Sequence, residues 1–198
     1  MVTRTSTNGV MQFVAELTDY KPRIWRRFQI NSNNSLTDFC HTLMTMFHME
    51  GYHLFDFTLK GVRYALPLPD GLDDWDEPTK NMNRAAINKL FTKEGDNGVM
   101  WYDFGDSWYV AVKLETLKVA EVISPVELPR IIKGKGFGIV EDCGGVWGLA
   151  EIAEGLKTGQ VDDWENLKSW LEDMCPVVSE KGLDFFDIDG LNAAIKKR

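Results

Sequence analysis

The spacing of apolar residues predicts an α+β fold: a compact mixed domain with an antiparallel sheet and several helices, its C-terminal part mainly helical. Two observations carry this. Apolar residues alternate with polar ones in the early candidate strands, as at Met11, Phe13, Ala15 and Leu17, and helical spacing dominates after Gly144-Gly145. Strands therefore come first and helices late, the order of an α+β protein rather than of a βαβ sheet. The length, 198 residues, suits one domain and a little more.

Residues 1–10 read as a disordered lead-in and 11–198 as the single domain. Met11, Phe13, Ala15 and Leu17 mark a first strand; after Pro22, Ile24, Phe28 and Ile30 mark a second. Ser35, with Asp38 three residues on, starts a helix over 36–48 bearing Leu36, Phe39, Cys40, Leu43 and Phe47. His53 to Leu59 is a third strand, turning at Lys60-Gly61 into Val62 to Tyr64. Residues 67–78 form an acidic loop and 84–91 a short helix. Val99 to Phe104 and Trp108 to Leu114 pair as a hairpin around Gly105-Asp106-Ser107, with Gly105 permitting the turn. Proline and glycine punctuate 125–138. Helices follow over Trp147–Leu156, over Trp164–Met174 capped by Asp162 and Asp163, and over Leu191–Ile195 capped by Asp189. No internal repeat or low-complexity segment is visible.

Basic residues number 22 and acidic residues 30, a net charge of −8. A broad phosphate-neutralising face is disfavoured, so nucleic acid is not expected as a direct ligand. No apolar run approaches the roughly 20 residues of a membrane span, and no secretory signal is visible. The three cysteines, Cys40, Cys143 and Cys175, form no CxxC pair, which excludes a zinc ribbon and a thioredoxin-type motif. Reduced thiols and a cytoplasmic location are expected.

Several clusters have chemical potential. Lys21 to Arg27 is the one basic cluster, with Lys21, Arg23, Trp25 and Arg27 on one strand face and Arg26 among apolar residues on the other. A buried Arg26 calls for a carboxylate; a structural ion pair and the recognition of a phosphate or other ligand are both open. Asp103 and Asp106 are candidate partners for Arg26 or Arg27. Asp103-Phe104-Gly105 lacks the companion motifs of a kinase magnesium site. Glu141-Asp142-Cys143-Gly144-Gly145 precedes a helix, where the dipole favours a thiolate and adjacent acids oppose it. His53 is the best base for such a thiol, or a fellow ligand with Glu141, Asp142 and Cys143 of a mixed metal site; a packed core histidine is the plain alternative. His41 and His48 are seven apart and read as solvated or packed. Asp187 to Gly190 does not complete a calcium loop, since Phe185 and Lys196 fall where acids are required.

Five segments together resemble one family. They are Pro22-Arg23-Ile24-Trp25-Arg26-Arg27, His53-Leu54-Phe55-Asp56-Phe57, Tyr102-Asp103-Phe104-Gly105-Asp106-Ser107-Trp108, Glu141-Asp142-Cys143-Gly144-Gly145-Val146-Trp147-Gly148, and Phe186-Asp187 with Asn192. The chain is identified over about residues 11–195 as resembling the plasmid Ri ORF-three-like family, insertion-element passenger proteins also given a TnpR-like name. The resemblance implies a compact α+β domain carried on plasmids, insertion elements and bacterial chromosomes. No serine-recombinase pattern supports the TnpR name. Two departures stand out: Val110 where the family usually has a histidine, and Ile139-Val140 where it usually has two prolines.

With that histidine missing and no complete catalytic constellation, the leading expectation is a non-enzymatic, mobile-element-associated binding domain with a protein partner and no cofactor. A sharper form is an acidic anti-defence inhibitor that imitates nucleic acid. Its binding residues would be Trp25, Arg26, Arg27, Asp103, Asp106, Trp108 and Asp142, with Trp25 and Trp75 exposed and the other tryptophans in the core. The alternative is a metal- or cysteine-dependent hydrolase built on His53, Glu141, Asp142 and Cys143. Direct nucleic-acid binding through Lys21, Arg23, Trp25, Arg27 and the basic C-terminus is a third reading, opposed by the overall charge.

Overall fold

The computed structural model describes residues 9–67 and 79–197. Eight strands form one sheet: β1 (Val10–Leu17), β2 (Trp25–Asn31), β3 (Phe55–Leu59), β4 (Val62–Ala65), β5 (Thr79–Asn81), β6 (Asn97–Tyr102), β7 (Trp108–Thr116) and β8 (Arg130–Lys135). Their order is β5-β4-β3-β6-β7-β1-β2-β8. Every pairing is antiparallel except β4 with β5. The helices are α1 (Leu36–Met46), α2 (Ile87–Leu90), α3 (Gly145–Thr158), α4 (Trp164–Met174), α5 (Pro176–Lys181) and α6 (Ile188–Ile195). The fold is α+β, with a sheet almost wholly antiparallel. Among the described residues no helix is long and apolar enough to cross a membrane.

The alternation in the sequence corresponds to the two faces of this sheet. Phe13, Ala15, Leu17, Phe28, Met100, Tyr102, Trp108, Val110 and Val112 are buried on one face. There Phe39 of α1 meets Phe13 at 5.0 Å, Phe28 at 5.7 Å and Phe57 at 6.0 Å. Such aromatic pairs add about 1 kcal/mol each beyond the area they bury. Helix α1 starts as its sequence indicates, with Ser35 Oγ accepting from Asp38 N at 3.0 Å. Leu149, Ile152, Leu171, Leu191 and Ile195 of the later helices join the same core.

Several local expectations are corrected. Val10, placed in the lead-in, already belongs to β1. The helix over 84–91 is a 3-10 turn at Met82–Arg84 followed by the single turn α2. The stretch 125–138 contains β8, whose Gly134 passes where a Cβ would lie 2.7 Å from both the Phe186 ring and Trp25 O. Edge strand β8 is covered by α6: Asn192 accepts from Ile131 N at 2.7 Å and donates to Ile131 O at 3.1 Å. Helix α6 is capped by Asp187, which accepts from Gly190 N at 2.9 Å, and not by Asp189. Asp163 stands at the start of α4 but makes no side-chain cap; it accepts from the Asn166 side chain at 2.7 Å. The acidic loop, except its first residue, and Trp75 lie outside the described residues.

Candidate functional site

Two turns and one strand lead-in converge at one end of the sheet. The first turn joins β6 to β7. Its unusual backbone is at Asp103 (φ 54°) and Ser107 (φ 56°), both left-handed, rather than at Gly105. Asp103 Oδ1 accepts from Gly105 N at 2.9 Å, and Asp103 N donates to Leu54 O at 3.0 Å, tying the turn to the residues before β3.

The second turn runs from Glu141 into α3; Gly145 seats it on the first turn, and Gly148 lets α3 pack against Cys143 within it. A Cβ on Gly145 would stand 2.3 Å from Asp106 O, and one on Gly148 would stand 1.6 Å from Cys143 O. Asp106 Oδ2 also accepts from Gly144 N at 3.1 Å. Bare backbone at these positions is what permits the approach. The packing holds Asp142 at φ 57°, a second left-handed acid beside Asp103; such strain collects at functional sites.

His53 completes the cluster. Its Nε2 lies 3.6 Å from Asp103 Oδ2, 3.8 Å from Glu141 Oε2 and 3.4 Å from Asp142 Oδ1. Neither His53 Nε2 nor Glu141 Oε2 has a hydrogen-bond partner, and both atoms are buried. Glu141 Oε1, in contrast, accepts from Tyr102 Oη at 2.7 Å and Glu50 N at 2.7 Å. Tyr52 donates to Asp142 Oδ2 at 2.9 Å, with its ring 4.3 Å from the imidazole. The side chains of Asp103 and Glu141 are 10% and 6% exposed; that of Asp142, at the rim, is 52% exposed. Burial pushes the Glu141 carboxyl above its ordinary range. Burial and the facing carboxylates raise the Tyr102 and Tyr52 phenols, so both remain donors.

One ligand atom from each of His53, Asp103 and Glu141 lies within 4.8 Å of the other two. Charge-assisted hydrogen bonds would draw such atoms to about 2.8 Å. Tetrahedral ligands about 2.1 Å from a metal stand about 3.4 Å apart. The spacing around His53 Nε2 fits the second geometry.

The other expected site residues have different surroundings. Arg26 is wholly buried and has no carboxylate partner: it donates to the carbonyls of Trp25, Met46, Lys135 and Phe137 between the rings of Phe47 and Phe186. Burial lowers its pKa to about 9. The role is structural, and the expected ion pair is replaced by four dipoles. Arg27 pairs with Glu115 at 2.6 Å, not with Asp103 or Asp106. Half-buried Trp25 has Arg23 at 5.6 Å and Arg27 at 5.8 Å from its ring. Trp108 is fully buried, so it serves the core rather than a binding surface. At Cys143 burial and then Asp106 push the thiol pKa up to about 12, and its Sγ faces Gly145 O at 3.6 Å. Tyr52, Tyr102 and the 85% exposed Trp147 went unrecognised in the sequence. Trp147 has helical spacing, which reads as core; its exposure depends on how the turn before it is seated.

A family model described as plasmid pRiA4b ORF-3-like protein matches residues 9–194. The chain belongs to that family. As a plasmid pRiA4b ORF-3-like protein it is similar to the uncharacterized protein y4hQ of Sinorhizobium fredii, 25% identical over 149 residues, 75% of this chain and 73% of the relative. It is also similar to a solved structure, a protein of unknown function, MM3350, from Methanosarcina mazei Go1. The likeness is 27% identity and a TM-score of 0.74, over 91% of this chain and 96% of that one. Val110, Ile139 and Val140, where the resemblance implied other residues, are all buried. The cluster of His53, Asp103 and Glu141 is assembled without position 110.

Proposed function

We propose that this plasmid pRiA4b ORF-3-like protein is a metal-dependent hydrolase centred on His53, Asp103 and Glu141. One observation carries the reading. Two buried polar atoms, His53 Nε2 and Glu141 Oε2, lack partners and lie 3.8 Å apart beside a third ligand-type atom. A buried carboxylate oxygen without a partner is costly, and a cation repays it. One imidazole with two carboxylates suits a divalent transition ion such as Mn²⁺ or Zn²⁺. Three protein ligands leave a position for water, and the ion would supply the polarisation that makes this water nucleophilic near neutral pH.

The chain's own groups have separable tasks in this reading. Glu141 is oriented by Tyr102 and Glu50 N. Asp142, half exposed at the rim and accepting from Tyr52, would be the acceptor for the proton of such a water. Cys143 is not among the three ligands, and burial with Asp106 nearby disfavours its thiolate.

The test is calorimetric titration of the whole chain with Mn²⁺ and with Zn²⁺, beside His53→Ala and Glu141→Gln. Turnover of a p-nitrophenyl ester and of a bis-p-nitrophenyl phosphodiester is then assayed with and without the ion. One ion per chain, affinity reduced about tenfold or more in each variant, and ion-dependent turnover are expected. No stoichiometric ion, or binding that both variants leave unchanged, overturns the reading. Binding without turnover of either ester class overturns the hydrolytic part and leaves a metal-binding domain.

A further inference from the structure

The turn that carries Glu141 and Asp142 continues into a second feature. Trp147, in the first turn of α3, is 85% exposed. It lines a groove of about 490 Å³ shared with Tyr20, Tyr109, Asp19 and Asp106. Tyr109 is held by its stack on Trp101, 5.5 Å between centroids and 22° between planes. The close approach of Gly148 to Cys143 O seats the backbone of the α3 turn that carries Trp147.

The carboxylates are only partly engaged. Asp106 uses Oδ2 on Gly144 N, and Asp19 uses Oδ2 on the Thr18 hydroxyl. The one cation on the wall, Lys21, lies 3.8 Å from Glu16 outside the groove. Aromatic faces with carboxylates beside them select a cation: the ring quadrupole attracts it and the acid fixes it. The net charge of −8 acts at longer range in the same sense, attracting basic partners and repelling phosphate.

We infer that this groove is a docking site for a basic peptide segment, seating a lysine or arginine side chain between Trp147 and Asp106. The inference does not depend on the metal reading, since no groove residue is among the three proposed ligands. Exposed tryptophan is also a frequent centre of binding energy at protein interfaces.

The test follows the indole N–H resonances of the whole chain by NMR, in the presence of EDTA so that the metal centre does not contribute. The Trp147 resonance is assigned with Trp147→Phe. The probes are the peptide Ac-Gly-Gly-Lys-Gly-Gly-NH2 and its Nε-acetyl-lysine form. A saturable shift of the Trp147 resonance with the lysine peptide is expected, weaker by about tenfold for the acetylated probe and for Asp106→Asn. Asp106→Asn keeps a carbonyl acceptor for Gly144 N, so the turn is retained. Equal shifts with both probes, or no saturable shift through the millimolar range, overturn the inference.

Discussion

Tyr102 donates its phenol O–H to Glu141 Oε1 at 2.7 Å and leaves Oε2 facing His53 with no partner. The same hydroxyl accepts from Gly51 N at 3.0 Å. It thereby joins β6, the 48–53 segment and the turn before α3. Removing it frees the carboxylate to rotate. Tyr102→Phe is expected to weaken divalent-ion affinity by about 10-fold to 100-fold, as loss of an outer partner of a metal ligand does. The fold should lose only about 1–2 kcal/mol, the worth of a buried hydrogen bond. Titration calorimetry and thermal melts on one preparation separate the two effects. Affinity equal to wild type would show that Glu141 needs no such anchor.

Arg26 supports the interior in a way that neutral replacement cannot imitate. Arg26→Met keeps the bulk but leaves acceptors at Trp25, Met46, Lys135 and Phe137 without their donor. The expected loss is about 3 kcal/mol or more, by the penalty for unpaired buried polar groups. Urea unfolding measures it. A loss below 1 kcal/mol, on the scale of a neutral surface change, would mean that water takes over the carbonyls.

Gly148→Ala reverses an ordinary rule. Alanine in place of helical glycine usually stabilises by about 1 kcal/mol. Here the added Cβ would stand 1.6 Å from Cys143 O, against backbone that cannot swing aside. The variant should lose about 3 kcal/mol or more and, with it, the alignment of Glu141 and Asp142. A melting temperature equal to or above wild type would show that α3 starts elsewhere.

Much of this architecture was legible because it is periodic. Phe13, Ala15 and Leu17 announce β1, and Leu36, Phe39 and Leu43 announce α1, each through spacing that burial on one face imposes. Strand β8 was not legible, since Gly134 and the nearby prolines read as punctuation; its pairing depends on β2 and on Asn192 from α6. The site divides similarly. His53, Glu141 and Asp142 stand out by residue type. That Asp103 belongs with them rather than with an arginine follows from the 103–107 turn and its link to Leu54, which no spacing rule encodes. Arg26 drew the wrong partner because a buried guanidinium is read by charge, while four carbonyl dipoles are invisible in sequence.

His48 gives the chain an acid-sensitive element apart from the proposed centre. Its ring stacks on Phe137 at 3.8 Å with 7° between planes. Burial, then the Arg26 charge, lowers its pKa to about 4 from the ordinary 6.5, and Asp187 only partly opposes this. The folded state therefore holds the imidazole neutral, while the unfolded chain takes up a proton below 6.5. Between those values the unfolded state binds more protons, so stability falls as pH falls, and the loss is complete below about 4. A shift of this size corresponds to roughly 3 kcal/mol. His48→Asn suits the left-handed backbone there (φ 58°) and removes the titration. Urea midpoints taken across pH 4 to 7 should fall more steeply for wild type than for the variant, with the two curves differing most in slope between 6.5 and 4. Parallel curves would assign the acid sensitivity to the carboxylates and leave His48 as packing alone.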